Sequence, residues 1–142
     1  MGAVYADITL KNAFDVASFK RGLIKEAEIR QTTVKALVDT GAPTLIINEA
    51  IRRELGLELC GVRPTKMAND TKETIKIVEA AEVHWENREM TCQPWVISGS
   101  GEVLLGVIPL EDMDLMVDPV NQVLIGVHGE EAIGYLVGVR FA

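Results

Sequence analysis

The sequence has few cysteines, no long apolar run and no excess of basic residues. Its two cysteines, Cys60 and Cys92, lie far apart, and they are expected to be reduced thiols rather than a disulfide. No run reaches the roughly 18 apolar residues of a transmembrane helix, so no membrane partner is predicted. The net charge is −7, and no Lys or Arg cluster is present to neutralise phosphates. A nucleic-acid partner is therefore not expected either.

The N-terminal stretch MGAVYADITL lacks the basic and then apolar segments of a signal peptide, so a cytoplasmic location is expected. The chain has 142 residues, of which 48% are hydrophobic and 25% are charged. This length and composition suit an ordinary globular protein with a proper core. We therefore expect a single domain over residues 1–142.

Motifs for metal and nucleotide chemistry are also missing. The possible metal ligands are not spaced so that two share one turn, and neither C-x-x-C nor H-E-x-x-H occurs; these residues are His84, His128, Cys60 and Cys92. The glycine-rich stretch SGSGEVLLG matches neither G-x-G-x-x-G nor a P-loop. No metal and no cofactor are predicted.

What the sequence does contain is a succession of strand patterns. Apolar and polar residues alternate in VYADITL, which is typical of a strand with one buried face. Three later segments each place polar turn residues between two strand-like arms, and so predict hairpins. Their turns are centred on Asn69-Asp70-Thr71, on Glu86-Asn87-Arg88 and on Asp118-Pro119-Val120-Asn121. The fold class predicted is mainly β.

One or two short helices are expected among these strands. The stretch NEAIRRELG offers Asn48 as the N-cap and Gly56 as the C-terminal stop. A second helical turn is predicted to start near Pro109, with Ile108 outside it because a residue before proline disfavours the helical region. Residues 11–26 show no clear period and are interpreted as a connection.

The stretch ALVDTGAPTLIIN, residues 36–48, places the carboxylate of Asp39 between two apolar runs. A buried carboxylate is costly unless it is paired or protonated. An Asp at the end of an apolar strand, followed by Thr40 and Gly41, is what an aspartic peptidase needs. The strand aims the carboxylate into a cleft, the glycine N–H can donate to it, and the threonine hydroxyl can tie the loop to a counterpart. The alternative interpretation is a strand that ends in an Asx-type turn.

These residues resemble the retropepsins, and most closely their bacterial relatives among the single-domain clan AA peptidases. LVDTGA is followed by an apolar strand and a helix, then by the hairpin in KMANDTKETIKI, and later by Leu104-Leu105-Gly106 in VLLGVIPLEDM. This ordered series spans about residues 27–127. The resemblance implies a retropepsin-like acid protease fold with a closed β-barrel. The chain departs from the viral pattern in a flap tip without glycines, in Pro43 and in its C-terminal stretch.

The resemblance also implies the site. Asp39, Thr40 and Gly41 would be catalytic, and residues 66–76 would form a flap over the cleft. The implied substrate-binding residues are Ala42, Met67, Ala68, Asn69, Asp70, Thr71, Leu104, Leu105 and Gly106. Such enzymes use two carboxylates that share one proton. Because Asp-Thr-Gly occurs once in this chain, the expected partner of Asp39 is Asp39 of a second copy.

The expected function is therefore an aspartic endopeptidase that acts as a homodimer on peptide or protein substrates. The dimer is expected to be held by terminal strands, with VYADITL and IGYLVGVRFA as candidates. Two alternatives stay open at this stage. One is a non-catalytic dimerisation or peptide-binding module on the same fold, and the other is an unrelated small β-barrel binding protein with a chance Asp-Thr-Gly.

Overall fold

The computed structural model describes residues 2–97 and 101–134, and strands dominate them. The strands are β1 (Tyr5–Asn12), β2 (Gln31–Val38), β3 (Leu45–Ile47), β4 (Leu59–Lys66), β5 (Lys72–Val78), β6 (Ala81–Trp85), β7 (Arg88–Cys92), β8 (Trp95–Ile97), β9 (Leu104–Leu105), β10 (Leu115–Asp118) and β11 (Val123–Gly126). The helices are α1 (Ala13–Lys20), α2 (Glu49–Leu55) and α3 (Val107–Asp112), and a 3-10 turn covers Glu26–Glu28. The mainly β prediction is confirmed, with three short α-helices in the described residues where one or two were expected.

Nine strands form one sheet in the order β4-β5-β8-β3-β9-β2-β1-β6-β7, and β10 and β11 form a separate hairpin. Within the described residues the two edge strands, β4 and β7, are not paired with each other. The sheet is therefore open there, and the closed barrel stays a prediction. No helix in residues 2–97 and 101–134 is both long and apolar enough to cross a membrane.

The three predicted hairpins are confirmed. They are the antiparallel pairs β4–β5, β6–β7 and β10–β11. In each, a residue in or next to the turn adopts positive φ: Asp70 at 65°, Glu86 at 50° and Gln122 at 55°. Short polar residues tolerate this region better than branched ones do, which is one reason why polar clusters mark turns.

The prediction for α2 is confirmed at both ends. Asn48 accepts a hydrogen bond from the Ile51 N–H at 2.8 Å, and Gly56 closes the helix with φ of 65°. For α3 the prediction was wrong at one residue, because Ile108 lies inside the helix. The first turn of a helix needs no intrahelical acceptor for its N–H groups. Those of Val107 and Ile108 donate instead to backbone carbonyls outside the helix, at 2.9 and 3.0 Å.

The helix α1 was interpreted as a connection, and that interpretation was wrong. Its side chains reverse the usual pattern, since Phe14 is 72% exposed while Asp15 is 6% exposed. Asp15 is held by Arg30, which donates to both carboxylate oxygens at 2.8 and 3.0 Å. The N-terminus of α1 is capped by the residue just before it, because Asn12 Oδ1 accepts a hydrogen bond from the Asp15 N–H at 3.0 Å.

The strand β1 lies inside the sheet rather than at an edge. It pairs with β2 over Tyr5–Lys11 and with β6 over Thr9–Asn12, and its residues Ile8 and Leu10 are part of the core. The hydrophobic core thus includes residues that precede the series 27–127. Within VYADITL only Thr9 and Leu10 have both strand edges paired in the described residues, so this stretch as a dimer seam stays a prediction. The other candidate, IGYLVGVRFA, lies outside the described residues from position 135 onward.

Candidate active site

Asp39 follows the last residue of β2 at the start of a tight loop. Its backbone N–H donates to Leu105 O at 3.0 Å, and its carbonyl accepts from the Ala42 N–H at 3.1 Å. Its side chain is held as well, because the Gly41 N–H donates to Asp39 Oδ1 at 2.8 Å. This is the backbone-to-carboxylate bond that the sequence predicted. The loop therefore fixes the direction of the half-buried carboxylate.

The rest of the Asp-Thr-Gly loop divides into an exposed tip and a buried base. Thr40 and Gly41 are exposed, whereas Ala42 is 6% exposed and Thr44 is 7% exposed. The tip presents the threonine hydroxyl to the outside of the monomer. Ala42, predicted to contact substrate, has a buried side chain and offers its carbonyl to α3.

The predicted Leu104-Leu105-Gly106 segment does pass directly beneath this loop. β9 lies between β2 and β3, parallel to β2 and antiparallel to β3. A Cβ placed on Gly106 would stand 2.5 Å from Ala42 O and 2.7 Å from Thr44 N, so only glycine fits there. The N–H groups of Val107 and Ile108 then donate to the carbonyls of Ala42 and Pro43. Gly106 is thus a support for the loop rather than a substrate contact.

Leu104 and Leu105 point to opposite sides of the sheet, because successive residues of a strand alternate. Leu105 is fully buried in the core cluster, which contradicts its assignment to substrate binding. Leu104 is half-buried and pairs with Leu37 on one side and Ile46 on the other. Asp39 comes two residues after Leu37, at the end of β2, and its N–H donates to Leu105 O, which places it beside Leu104.

The side of the sheet that carries Leu104 has an apolar surface of its own, which we call the cleft face. Strand pairing connects its members from β2 to β5: Leu37, Leu104, Ile46, Trp95, Ile77, Ile97 and Ile75. Two of them, Ile46 at 4% and Ile75 at 0% exposure, are buried although they are not part of the main core cluster. Of this set, only Leu104 was predicted from the sequence to bind substrate. The missed signal, in β3 and β8, is that LII and WVI are apolar at every position, as in strands with two apolar faces.

The hairpin β4–β5 lies at the edge of this sheet and contains the residues that were predicted to form a flap. Its tip, Met67 to Thr71, is closed by its own hydrogen bonds: the Met67 N–H donates to Thr71 O at 2.8 Å, and the Asp70 N–H donates to Met67 O at 3.0 Å. A pocket of about 380 Å³ opens beside the tip. It is lined by Met67, Ala68, Asn69, Thr71, Glu73 and Ile97. The structure therefore brings four of the five flap-tip residues that were predicted to bind substrate to one pocket, together with Glu73 and Ile97.

The histidines lie away from this loop, each against carboxylates. His84 Nε2 lies 2.8 Å from Glu82, and its Nδ1 lies 3.5 Å from Glu89. Ligand atoms of these three residues fall within 4.8 Å of one another. Because His84 turns a different ring nitrogen to each carboxylate, one cation would not meet both pairs in this arrangement. His128 Nδ1 lies 2.7 Å from Asp114 and holds the pKa of that carboxyl below its usual range.

The cysteines are free thiols in different surroundings. Cys60 is exposed on β4. Cys92 packs behind the Asp-Thr-Gly loop against Thr44, and burial raises the pKa of its thiol to about 11. A thiol with such a pKa is a poor nucleophile near neutral pH. Neither cysteine therefore suggests thiol catalysis.

Comparisons with known proteins indicate the family and the fold. The family described as "gag-polyprotein putative aspartyl protease" matches residues 25–112. A retropepsin-like aspartic protease from Rickettsia conorii is 16% identical, with 82% of this chain and 77% of that chain covered and a TM-score of 0.46. The retroviral protease-like domain of Ddi1 from Leishmania major is 17% identical, with 87% of each chain covered and a TM-score of 0.53, which shows a shared fold. No curated protein sequence matches significantly.

Proposed function

The chain belongs to the gag-polyprotein aspartyl protease family and is retropepsin-like in fold, and from that membership we propose that it is an aspartic endopeptidase. Two copies of the chain each contribute Asp39 to one catalytic dyad. The observation that carries the proposal is the loop itself. The Gly41 N–H holds the Asp39 carboxylate, and Gly106 supports the loop from beneath.

A second copy is required because other aspartates of the chain have different roles. Asp114 is paired with His128, and Asp118 accepts hydrogen bonds from the residues of its own turn. Neither lies in an Asp-Thr-Gly sequence, which occurs once. The exposed tip at Thr40 and Gly41 gives a second loop room to approach across a two-fold axis.

In the dyad, two carboxylates at close range hold one proton between them, because both cannot ionise easily. The ionised member takes a proton from a water, which attacks the scissile carbonyl. The protonated member donates to the carbonyl oxygen as it becomes tetrahedral. The two groups titrate as a unit, so activity follows the pair rather than either residue.

The substrate lies along the cleft face as an extended peptide. Leu104, on the strand beside β2, and Trp95, further along the same face, are half-buried and offer apolar contacts, so apolar side chains near the scissile bond are favoured. The flap covers the peptide from the other side with Met67 to Thr71. Closing it excludes water and strengthens the electrostatic interactions within the cleft.

The test compares the unchanged protein with Asp39→Asn on denatured protein substrate, with and without an inhibitor that mimics the tetrahedral intermediate. Asn keeps the shape of Asp but cannot act as the base, so cleavage should disappear while sedimentation still shows a dimer. The matched control is Asp7→Asn, which alters an exposed carboxylate on β1. Wild-type turnover in Asp39→Asn would remove Asp39 from the mechanism. A dimer that binds peptide but never cleaves it would indicate a non-catalytic module instead.

Dilution tests the shared dyad separately. As total protein falls towards the dimer dissociation constant, specific activity should fall with the dimer fraction. Sedimentation over the same concentrations should show the monomer appearing. A monomer with undiminished specific activity would contradict a dyad built from two copies.

A further inference from the structure

Glu73 occupies an unusual place for a charged residue of the flap. In β5, Glu73 alternates with Ile75 and Ile77, and Ile75 is fully buried against Ile97 of β8. Glu73 therefore lies on the same side of the hairpin as the cleft face. The lysines of this strand, Lys72 and Lys76, take the opposite side. All three charged residues are exposed, but the negative charge lies on the side of the cleft face and the positive charges lie on the other side.

Glu73 lines the 380 Å³ pocket beside the flap tip, and among the described residues that line this pocket it is the one with an ionisable side chain. In the part of the chain that the structure describes, no Lys, Arg or His nitrogen lies within 4.0 Å of it. Lys66, the nearest lysine along β4, is paired with Asp70 at 3.3 Å. Arg63 shares the face of Glu73 but stands opposite Ile75, one diagonal step away. Among the described residues, the carboxylate that lines this pocket therefore has no cationic side chain paired with it.

We propose that Glu73 makes this enzyme select substrates with a lysine or arginine side chain in the flap pocket, a few residues from an apolar scissile bond. The inference rests on the proposed peptidase function and adds a charge preference to it. Met67 and Ile97 would pack against the aliphatic stem of the substrate's basic side chain, while the carboxylate pairs with its charged end. Closure of the flap would bury this pair further, which reduces its screening by salt.

The experiment uses three peptides that share one apolar cleavage sequence and differ at a single flanking position, occupied by Lys, Gln or Glu. The position is scanned on both sides of the scissile bond. Glu73→Gln should lower the Lys-over-Gln ratio of kcat/KM by up to about fivefold, the upper range of an exposed ion pair. Glu73→Lys should move the preference towards the Glu peptide. The control, Glu89→Gln, removes the same charge from the edge strand β7 and should leave the ratio unchanged.

The outcomes separate this inference from the proposed function. If the Gln peptide is cut and Glu73→Gln leaves the Lys-over-Gln ratio unchanged, the charge preference is wrong and the peptidase stands. If no peptide is cut, the same three peptides are tested for binding by fluorescence anisotropy. Tighter binding of the Lys peptide that is lost in Glu73→Gln would then support the pocket while refuting catalysis. Equal binding, or none, would overturn the charge preference.

Discussion

Replacing Gly106 by alanine tests whether the Asp-Thr-Gly loop depends on the segment that crosses beneath it. The new Cβ would stand 2.5 Å from Ala42 O and 2.7 Å from Thr44 N, and closer still to Thr44 O. Real Cβ atoms do not approach within 3.0 Å, so backbone must move by about half an ångström or more. Both neighbours are main-chain atoms of a tightly bonded loop, so no side-chain rotation can relieve the contact.

The expected cost has two parts. Forcing an extra methyl into a packed site costs about 1–3 kcal/mol. Displacing the loop also weakens the bonds from the Val107 and Ile108 N–H groups at 2.9 and 3.0 Å, each of which contributes about 1 kcal/mol. We therefore expect Gly106→Ala to lose about 2–4 kcal/mol of unfolding free energy. The Asp39 N–H donates to the carbonyl oxygen of Leu105, the residue next to Gly106. A displaced Gly106 should therefore also displace Asp39, and the rate of peptide cleavage should fall together with the stability.

The assay is urea unfolding of the unchanged protein, of Gly106→Ala and of a control variant, all at one fixed protein concentration, since dimerisation makes apparent stability concentration-dependent. The matched control is Gly61→Ala on the edge strand β4, where a Cβ would meet nothing within 4 Å. Its unfolding free energy should change by less than about 1 kcal/mol. If the two variants are equally stable, the crossing does not constrain the loop and the reasoning fails.

Three further predictions concern the rest of the chain. Since burial raises the pKa of Cys92 to about 11, Cys92 should react with a disulfide reagent at about pH 8 far more slowly than exposed Cys60; equal rates in the two single Cys→Ser variants would contradict this. Arg30 lowers the pKa of Asp15 in the folded protein. The ionised Asp15 therefore stabilises the fold fully at a pH above its pKa in the unfolded chain, and this stabilisation is lost as the pH falls through its pKa in the folded protein. Asp15→Asn should therefore cost about 1–3 kcal/mol near neutral pH, with a deficit that shrinks below about pH 4; a deficit independent of pH would refute the pairing. Asn48→Ala should cost about 1 kcal/mol in thermal or urea unfolding, while Asn48→Asp keeps most of the cap.

The elements that could be predicted from the sequence are those whose causes are local. The helix α2 has its cap, Asn48, and its stop, Gly56, within nine residues. The three hairpins are each marked by polar turn residues between their own two strands. Asp39 with Gly41 is also local, because the N–H that holds the carboxylate comes two residues later. Such signals need no knowledge of what packs against the segment.

The helix α1 could not be predicted because its determinants lie elsewhere in the chain. Its apolar Phe14 faces outward and its charged Asp15 faces inward. Asp15 tolerates burial only because Arg30, 15 residues later, donates to both of its oxygens. Hydrophobic periodicity would place Phe14 in the core and Asp15 at the surface, which is the reverse of their observed positions. The pairing that makes the arrangement stable becomes visible only when the two segments are placed together.

Glu73 shows how much of the site can be predicted from the alternation of side chains along a strand. In KETIKIV, residues 72–78, Lys72 and Lys76 fall on one side, and Glu73 falls on the other with Ile75. Polarity taken residue by residue places Glu73 in solvent with the lysines, and all three are indeed exposed. It does not say which side of the strand each one takes. A strand side that holds Ile75 buried must turn the same way at position 73, since a shift by one residue would reverse every side chain. Alternation therefore predicts that Glu73 lies on the side of Ile75. Only the pairing of Ile75 with Ile97 shows that this side is the cleft face rather than the core.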